Sequence, residues 1–476
     1  MTTVKSIARN NLFLFSGQII SLVLGLFYFA YMAGYLGVKN LGILNTALSL
    51  TVLIGLLGDL GLSSLMTREI SRNLSLAPKY LGNILLIKVL LAVVTFGAVV
   101  IVANILGYSE QATRVIYIIT LSTIATNFTQ VFYSIFQAFE RLEFQSLGVI
   151  LNSVLMTIGI IYSVYQKLDL IHFAYIYFIT NSIIFSYSFF VCLRKLTSLD
   201  LKIDWIFLKQ VISESMPFWL NSVFVLIYFK VDMVMLSIMS GDAAVGLYSA
   251  SYRLIDALGF IPIVLMSTMY PIFSKFYISS RDSLEFAFKK SFKLLTIIAI
   301  PIGIGTTILA ERIILFIYRD VQYAPSAAAL QILIWASVLS FINYTPSTYF
   351  SSTNRQRALM IFTCIGAVLN IFLNFMLIPR FSYDGAAIAT VCSELAVGIL
   401  MISNIHEIQN LSVLLTDIIL KSLAAGVFMG AFLLIFPHCT LILLILFAAI
   451  LYFIFLYIVN GFEKEDIDLF NQVLGR

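Results

Sequence analysis

Charge is scarce in this sequence. Lys, Arg, Asp and Glu make up 11% of its 476 residues, while 61% are hydrophobic and the mean hydropathy is +1.00. Soluble domains carry about a quarter charged residues, so a water-soluble globular protein is excluded and a polytopic membrane protein is implied. Cysteine is scarce too. Cys192, Cys364, Cys392 and Cys439 stand singly, at no spacing that suits zinc, haem or a disulfide framework, and they read as small buried apolar residues. The phosphate-cradling pattern Gly-x-x-x-x-Gly-Lys-Ser/Thr is missing, so the chain is not itself an ATP-driven pump. No carboxylate pair, nucleophile–base set or metal cluster falls on a connection large enough to display catalysis. That argues against a membrane-embedded glycosyltransferase or polymerase, and no catalytic residue, metal or cofactor is expected. The basic residues are dispersed over short loops, which excludes a nucleic-acid patch.

What is present is a succession of apolar segments of about 20 residues, the length a tilted membrane helix needs. Cutting at charged and Pro/Gly breaks gives fourteen: 11–36, 41–65, 82–106, 113–137, 145–166, 170–193, 211–239, 246–272, 291–316, 326–350, 358–379, 384–405, 413–436 and 440–460. The first follows a short basic stretch with no small-residue cleavage site, so it reads as a span and not a removed signal. With the N-terminus cytoplasmic, twenty Lys and Arg lie on inner connections, tails or the span ends beside them and six on or beside outer ones. Three more, Lys88, Lys230 and Arg253, lie within spans and complete the 29. That bias places both termini in the cytoplasm. The outer loops are too short to form a domain. Asp204–Ile212 mixes Trp205, Ile206, Phe207 and Val211 with Asp204 and Lys209, as either an interfacial helix leading into the seventh span or a solvated loop with a snorkelling lysine would.

The chain also resembles itself. Gly37-Val-Lys-Asn-Leu-Gly42 recurs as Gly241-Asp-Ala-Ala-Val-Gly246, an offset of 204 residues. Asn127-Phe-Thr129 recurs as Asn343-Tyr-Thr345 and Gly148-Val-Ile-Leu-Asn152 as Gly366-Ala-Val-Leu-Asn370, at offsets of 216 and 218. The shared order implies two six-span copies of the same orientation, related by an axis along the membrane normal around a central cavity. The expected organisation is an N-lobe over 1–204, a C-lobe over 205–406, two extra spans over 407–460 and a cytoplasmic tail over 461–476. Rocking of the lobes, alternating access, is the mechanism such a repeat implies.

Four sets of residues carry a resemblance to a known family. They are Tyr35-Leu-Gly37…Leu41-Gly42; Gly58-Asp-Leu-Gly61-Leu62 with Arg68-Glu69; Val245-Gly246-Leu-Tyr248…Tyr252-Arg253-Leu254; and Asn370…Asn374…Ile378-Pro379-Arg380…Gly385…Ala389-Thr390…Glu394. With these, nearly the whole chain resembles the Wzx-type polysaccharide flippases of the multidrug/oligosaccharidyl-lipid/polysaccharide exporter superfamily. The resemblance implies an all-α membrane fold of two six-helix lobes plus two helices. It also implies transfer of polyprenyl-pyrophosphate-linked oligosaccharide across a bacterial inner or archaeal plasma membrane for O-antigen, capsule or exopolysaccharide synthesis. Expected partners are that lipid-linked oligosaccharide, membrane lipid and the pathway's polymerase and assembly proteins. Two rivals share the fold: a cation-coupled drug antiporter, which would want an acidic cavity, and a lipid II flippase, which tends to carry several arginines in its first lobe. A scaffold protein has no use for a repeat around buried ions.

Function is sought first in Tyr228–Leu258, whose apolar flanks enclose Lys230, Asp232, Arg253 and Asp256 around the turn 240–245. Ionisable groups at membrane depth are costly and face a cavity or one another. Either the four charges satisfy each other as a structural network, or Arg253, with Lys230, meets the pyrophosphate. The planar guanidinium suits phosphate oxygens, and Asp232 and Asp256 would then tune the cation or couple ions. Tyr248 and Tyr252, beside Arg253, are the aromatic candidates for sugar contact. Asp59 is placed to pair with Arg68, Arg72 or Lys88 as a latch at the inner gate. Lys88 either snorkels to the interface or draws in the anionic head group. Glu394, a lone acid, is the candidate for coupling to H⁺ or Na⁺, against a structural hydrogen-bonded role. By the 204-residue offset, Arg253 falls on Ser49 and Lys230 on Leu26, so the charges belong to one copy only.

Overall fold

Two backbone breaks explain how the expected spans appear. A computed structural model describes residues 2–200, 202–405, 407–408, 411–436 and 439–462. Among these residues there are fourteen α-helices and no strand. Twelve helical stretches are long and apolar enough to cross a membrane. The two longest, Phe15–Gly58 and Gln356–Ser403, each hold a pair of expected spans. The first pair is separated inside α1 (Thr2–Gly55) at Gly37 (φ 71°, ψ 172°), where glycine's freedom permits a turn. The second is separated inside α12 (Gln356–Ser403) at Ser382 (φ 51°, ψ −129°).

The expected span 41–65 is not continuous. α1 stops at Gly55, a 3-10 turn covers Leu56–Gly58, and Leu60 (φ 49°) and Gly61 (φ 75°) turn the chain into α2 (Leu62–Arg72). Four further helices complete the first half: α3 (Ala77–Ile105), α4 (Glu110–Ala138), α5 (Leu142–Tyr165) and α6 (Leu170–Lys195). The segment 204–212 is helical and not a loop, and it runs without a break into the span that follows. It is the first two turns of α7 (Trp205–Ser240), capped by Asp204, whose carboxylate accepts from the Phe207 N–H at 3.0 Å. Leu208 and Val211 join the core there, and Trp205 and Ile206 stay exposed.

The chain forms two compact units, residues 1–249 and 250–476. In the first, α1 packs on α4 and α5, α4 on α6, and α7 on both α1 and α2. Packing therefore groups α7 with the first unit, while the sequence repeat begins its second copy there. Its core gathers Leu62, Leu65 and Met66 of α2 with Ile84, Phe132 and Phe136. The division falls inside α8 (Asp242–Leu258). The second unit holds α9 (Phe260–Ser279), α10 (Arg281–Tyr318), α11 (Ser326–Ser352), α12, α13 (Leu411–Ile435) and α14 (Leu441–Ile458). Within it, α11 packs between α10 and α12, and α13 and α14 lie against α10. Of the expected tail 461–476, only residues 461–462 lie among the described residues.

Candidate functional site

The break after Gly55 leaves backbone polar groups unsatisfied at membrane depth, and such irregular backbone must be satisfied by neighbouring protein. Asn127 of α4 donates its side-chain amide to the Gly55 carbonyl at 3.0 Å, and the Trp219 indole of α7 donates to the Leu56 carbonyl at 3.0 Å. Asp59 sits in this break. Its Oδ1 accepts from Lys88 Nζ and from the Ser63 hydroxyl. Lys88 Nζ also donates to the Asn127 carbonyl at 3.1 Å. The lysine side chain is 1% exposed, so Lys88 does not snorkel. An ammonium buried this far needs a paired anion and further acceptors, and the helix break supplies them. Arg68 and Arg72 do not pair with Asp59: Arg68 binds Glu69 and, at 3.3 Å, Glu214 of α7, and Arg72 binds Glu69.

On α7, Asp232 is 3% exposed and accepts at Oδ2 from the Tyr248 hydroxyl. Tyr248 is fully buried, so in this conformation it presents no surface to a sugar, and its hydroxyl is taken up by the carboxylate. Lys230 is half-buried on α7.

In the second unit Tyr252 is 8% exposed, Arg253 is half-buried and Asp256 is exposed, all on α8. The charge of Arg253 reaches Tyr318, whose hydroxyl donates to the Ala250 carbonyl at 2.6 Å. Glu394 of α12 is buried. The Asn343 amide of α11 donates to its side-chain Oε2 at 3.0 Å and to its backbone carbonyl at 2.9 Å. Tyr344, next to Asn343 on α11, lies within range of the charges of both Glu394 and Asp256. Lys230, Asp232 and Tyr248 thus belong to one unit and Tyr252, Arg253, Asp256 and Glu394 to the other. Among the described residues, no group of three His, Cys, Asp or Glu is arranged to hold a metal.

Residues 7–277 match the family described as polysaccharide biosynthesis protein, more than half of the chain and inclusive of every candidate above except Glu394. The chain belongs to that family. A second match, to the family described as MatE, covers residues 217–376. Among solved structures, the lipid II flippase MurJ in an inward closed conformation superposes with a TM-score of 0.78 at 17% identity, covering 97% of this chain and 100% of that one. A multidrug-resistance MATE transporter in its outward-facing conformation gives 0.61 at 16% identity over 86% of this chain and 96% of that one. A transporter from Pyrococcus furiosus, described as having a binding pocket of reversed polarity, gives 0.56 at 13% identity over 87% and 96%. The curated relative, the uncharacterized membrane protein MJ1068 of Methanocaldococcus jannaschii, is 25% identical over 162 residues, 34% of this chain and 32% of its own length. The fold is that of the flippases and transporters of the multidrug/oligosaccharidyl-lipid/polysaccharide superfamily, and the protein is a multi-pass membrane protein.

Two site features of this family member escape a charge-by-charge reading of the sequence. One is Trp219 as the cap of a broken helix. The other is the pair Asn127 and Asn343. These repeat-equivalent asparagines each contact a candidate ion, Asn127 through its carbonyl to Lys88 and Asn343 through its amide to Glu394. Each also fills the space beside a glycine, Gly58 and Gly398 respectively. The repeat itself was the signal for that pairing.

Proposed function

We propose that this protein is a flippase for polyprenyl-pyrophosphate-linked oligosaccharide, serving surface polysaccharide assembly at the cytoplasmic membrane. The observation that carries the reading is the family match over residues 7–277, which takes in the whole charged stretch around Arg253. Arg253 meets the pyrophosphate with its forked guanidinium, and Lys230 adds a second positive charge. Asp232, engaged by Tyr248, acts as a fixed counter-charge. Asp256 and Glu394 couple H⁺ or Na⁺ to resetting of the empty carrier. The lipid tail stays in the bilayer while the sugar head crosses. Twenty basic residues on one side against six on the other orient both termini to the cytoplasm. The match to the MatE family over residues 217–376 favours a second reading, a cation-coupled drug antiporter.

Deletion of the gene separates the two readings. The flippase reading expects lipid-linked repeat units stranded in the inner leaflet and loss of surface polysaccharide. Normal polysaccharide with reduced drug efflux would establish the antiporter instead. At the site, Arg253→Ala is expected to cut polysaccharide export at least tenfold at unchanged membrane level, with Arg253→Lys partly active. Wild-type export by Arg253→Ala would reduce Arg253 to a structural role.

A further inference from the structure

The two glycine turns of the repeat meet each other within the first unit. Gly37 (φ 71°, ψ 172°) and Gly241 (φ 83°, ψ 176°) break the chain with nearly the same dihedral angles, 204 residues apart. One turn further on, a Cβ at Gly42 would overlap the carbonyl oxygen of Asp242, and a Cβ at Gly246 would overlap that of Val38. Val38 and Asp242 are also 204 residues apart, so the contact maps onto itself under the repeat. A local two-fold axis passes through it. Backbones that approach this closely do so through Cα–H···O contacts, which only small residues permit. Leu41 and its counterpart Val245 are fully buried beside the crossing. The charge of Lys39 acts on Asp242 across the crossing. Tyr108, in the α3–α4 connection, hydrogen-bonds Ser237 of α7 at 3.0 Å and holds the same end.

The other end of α7 is held differently. Arg68 pairs with Glu214, Trp219 caps Leu56, and Gly61 lies against the Ser215 carbonyl, where a Cβ would come to 2.6 Å. Arg68 has no charged counterpart in the repeat, since the residue 204 after it is Ile272. One end of α7 is therefore joined by symmetric backbone contact and the other by side chains that include an ion pair the repeat does not copy.

We infer that the Gly42–Gly246 crossing is a backbone clasp that shuts the transport path on the face remote from the basic loops, and that these two glycines are what allow it to shut. This rests on the transporter reading above. A clasp whose closest contacts are backbone on backbone closes and releases with little loss, as a gate that cycles on every turnover requires.

The test places spin labels at Lys39→Cys and Ala243→Cys, exposed repeat-equivalent positions flanking the crossing, in a chain with its four native cysteines replaced by serine. In nanodiscs without substrate, a single short label–label distance is expected. Gly42→Val and Gly246→Val should each move most of the population to a longer distance. Gly97→Val should not, because a Cβ at Gly97 meets nothing within 4 Å. A thiol-reversible cross-linker between the same two cysteines, with both glycines intact, should cut polysaccharide export at least tenfold, and reductant should restore it. Export at the uncross-linked rate while the link is in place would overturn the inference, as would unchanged distances in folded valine variants. If the distances behave as expected but gene deletion leaves polysaccharide normal, the substrate reading fails and the clasp stands.

Discussion

At the scale of single residues, Lys88 and Asp59 form the most consequential pair. Removing one partner of a buried ion pair leaves an uncompensated charge and costs about 3–5 kcal/mol. Lys88→Met is therefore expected to lower the melting temperature of the solubilised protein sharply. The double substitution Lys88→Met/Asp59→Asn should recover most of the loss, because no charge is left unpaired. A double variant that folds but does not export would show that the pair takes part in transport. Equal melting for the single and double variants would contradict the pairing. The sequence narrowed the choice to three cations for Asp59 but could not select among them, because the selection depends on where the helix breaks. It left Lys88 open between snorkelling and drawing in the head group for the same reason: nothing in Leu-Ile-Lys-Val-Leu announces an acceptor on a neighbouring broken helix. Tyr248 was legible as Arg253's neighbour along the chain, yet its ring faces the core and Asp232.

A surface pair gives a residue-scale prediction with a defined sign. Lys79 Nζ lies 2.8 Å from Asp204, and its hydrogen bond, followed by that from the Phe207 N–H, holds the Asp204 carboxyl below the usual carboxylate range. A depressed folded value means the stabilisation is present above the unfolded value of about 3.9 and is lost as pH falls through the folded one. Asp204→Asn keeps the helix cap but loses the charge. Its stability deficit against wild type, read by thermal melting, should be present at pH 7 and vanish as the pH falls through the depressed folded value. A deficit that persists unchanged at acid pH would mean the charge is not its source.

At the scale of elements, the breaks carry the information. The cut between 379 and 384 was legible from Pro379-Arg380 and Asp384-Gly385, and the helix does break there, at Ser382. Why a serine sits at that φ is not evident from the sequence, since glycine is the usual occupant. A non-glycine residue in such a conformation costs about 1–3 kcal/mol. Ser382→Gly is therefore expected to hold or raise the melting temperature with export unchanged, and Ser382→Val to lower it. The break at Gly55–Gly61 was not legible, because the apolar run continues through it and Gly-Asp-Leu-Gly reads equally well as a helix end. Gly61 combines φ 75° with a close approach to α7. Gly61→Ala should therefore loosen the α2–α7 contact, which would appear as increased protease cleavage near Arg68.

At the scale of the whole molecule, the repeat and the charge bias were the most legible features, because both are sums over many residues and neither depends on one side chain's surroundings. The 204-residue offset reappears as matched dihedral angles at Gly37 and Gly241, so a weak sequence repeat has a backbone counterpart. The charge bias makes a further prediction about sidedness. Ser75, between α2 and α3, and Gln166, between α5 and α6, are both exposed and lie on connections assigned to opposite faces. In a cysteine-free background, a membrane-impermeant maleimide applied to intact cells should label Gln166→Cys and spare Ser75→Cys, and permeabilisation should expose both. Each helix crossing reverses the side, so the two sites also test the number of spans between them. An odd number, α3, α4 and α5, must separate them. Labelling of both or neither in intact cells would break the span count. Labelling of Ser75→Cys alone would invert the protein, place the glycine clasp at the cytoplasmic face, and reverse the direction in which a pyrophosphate-linked substrate could enter.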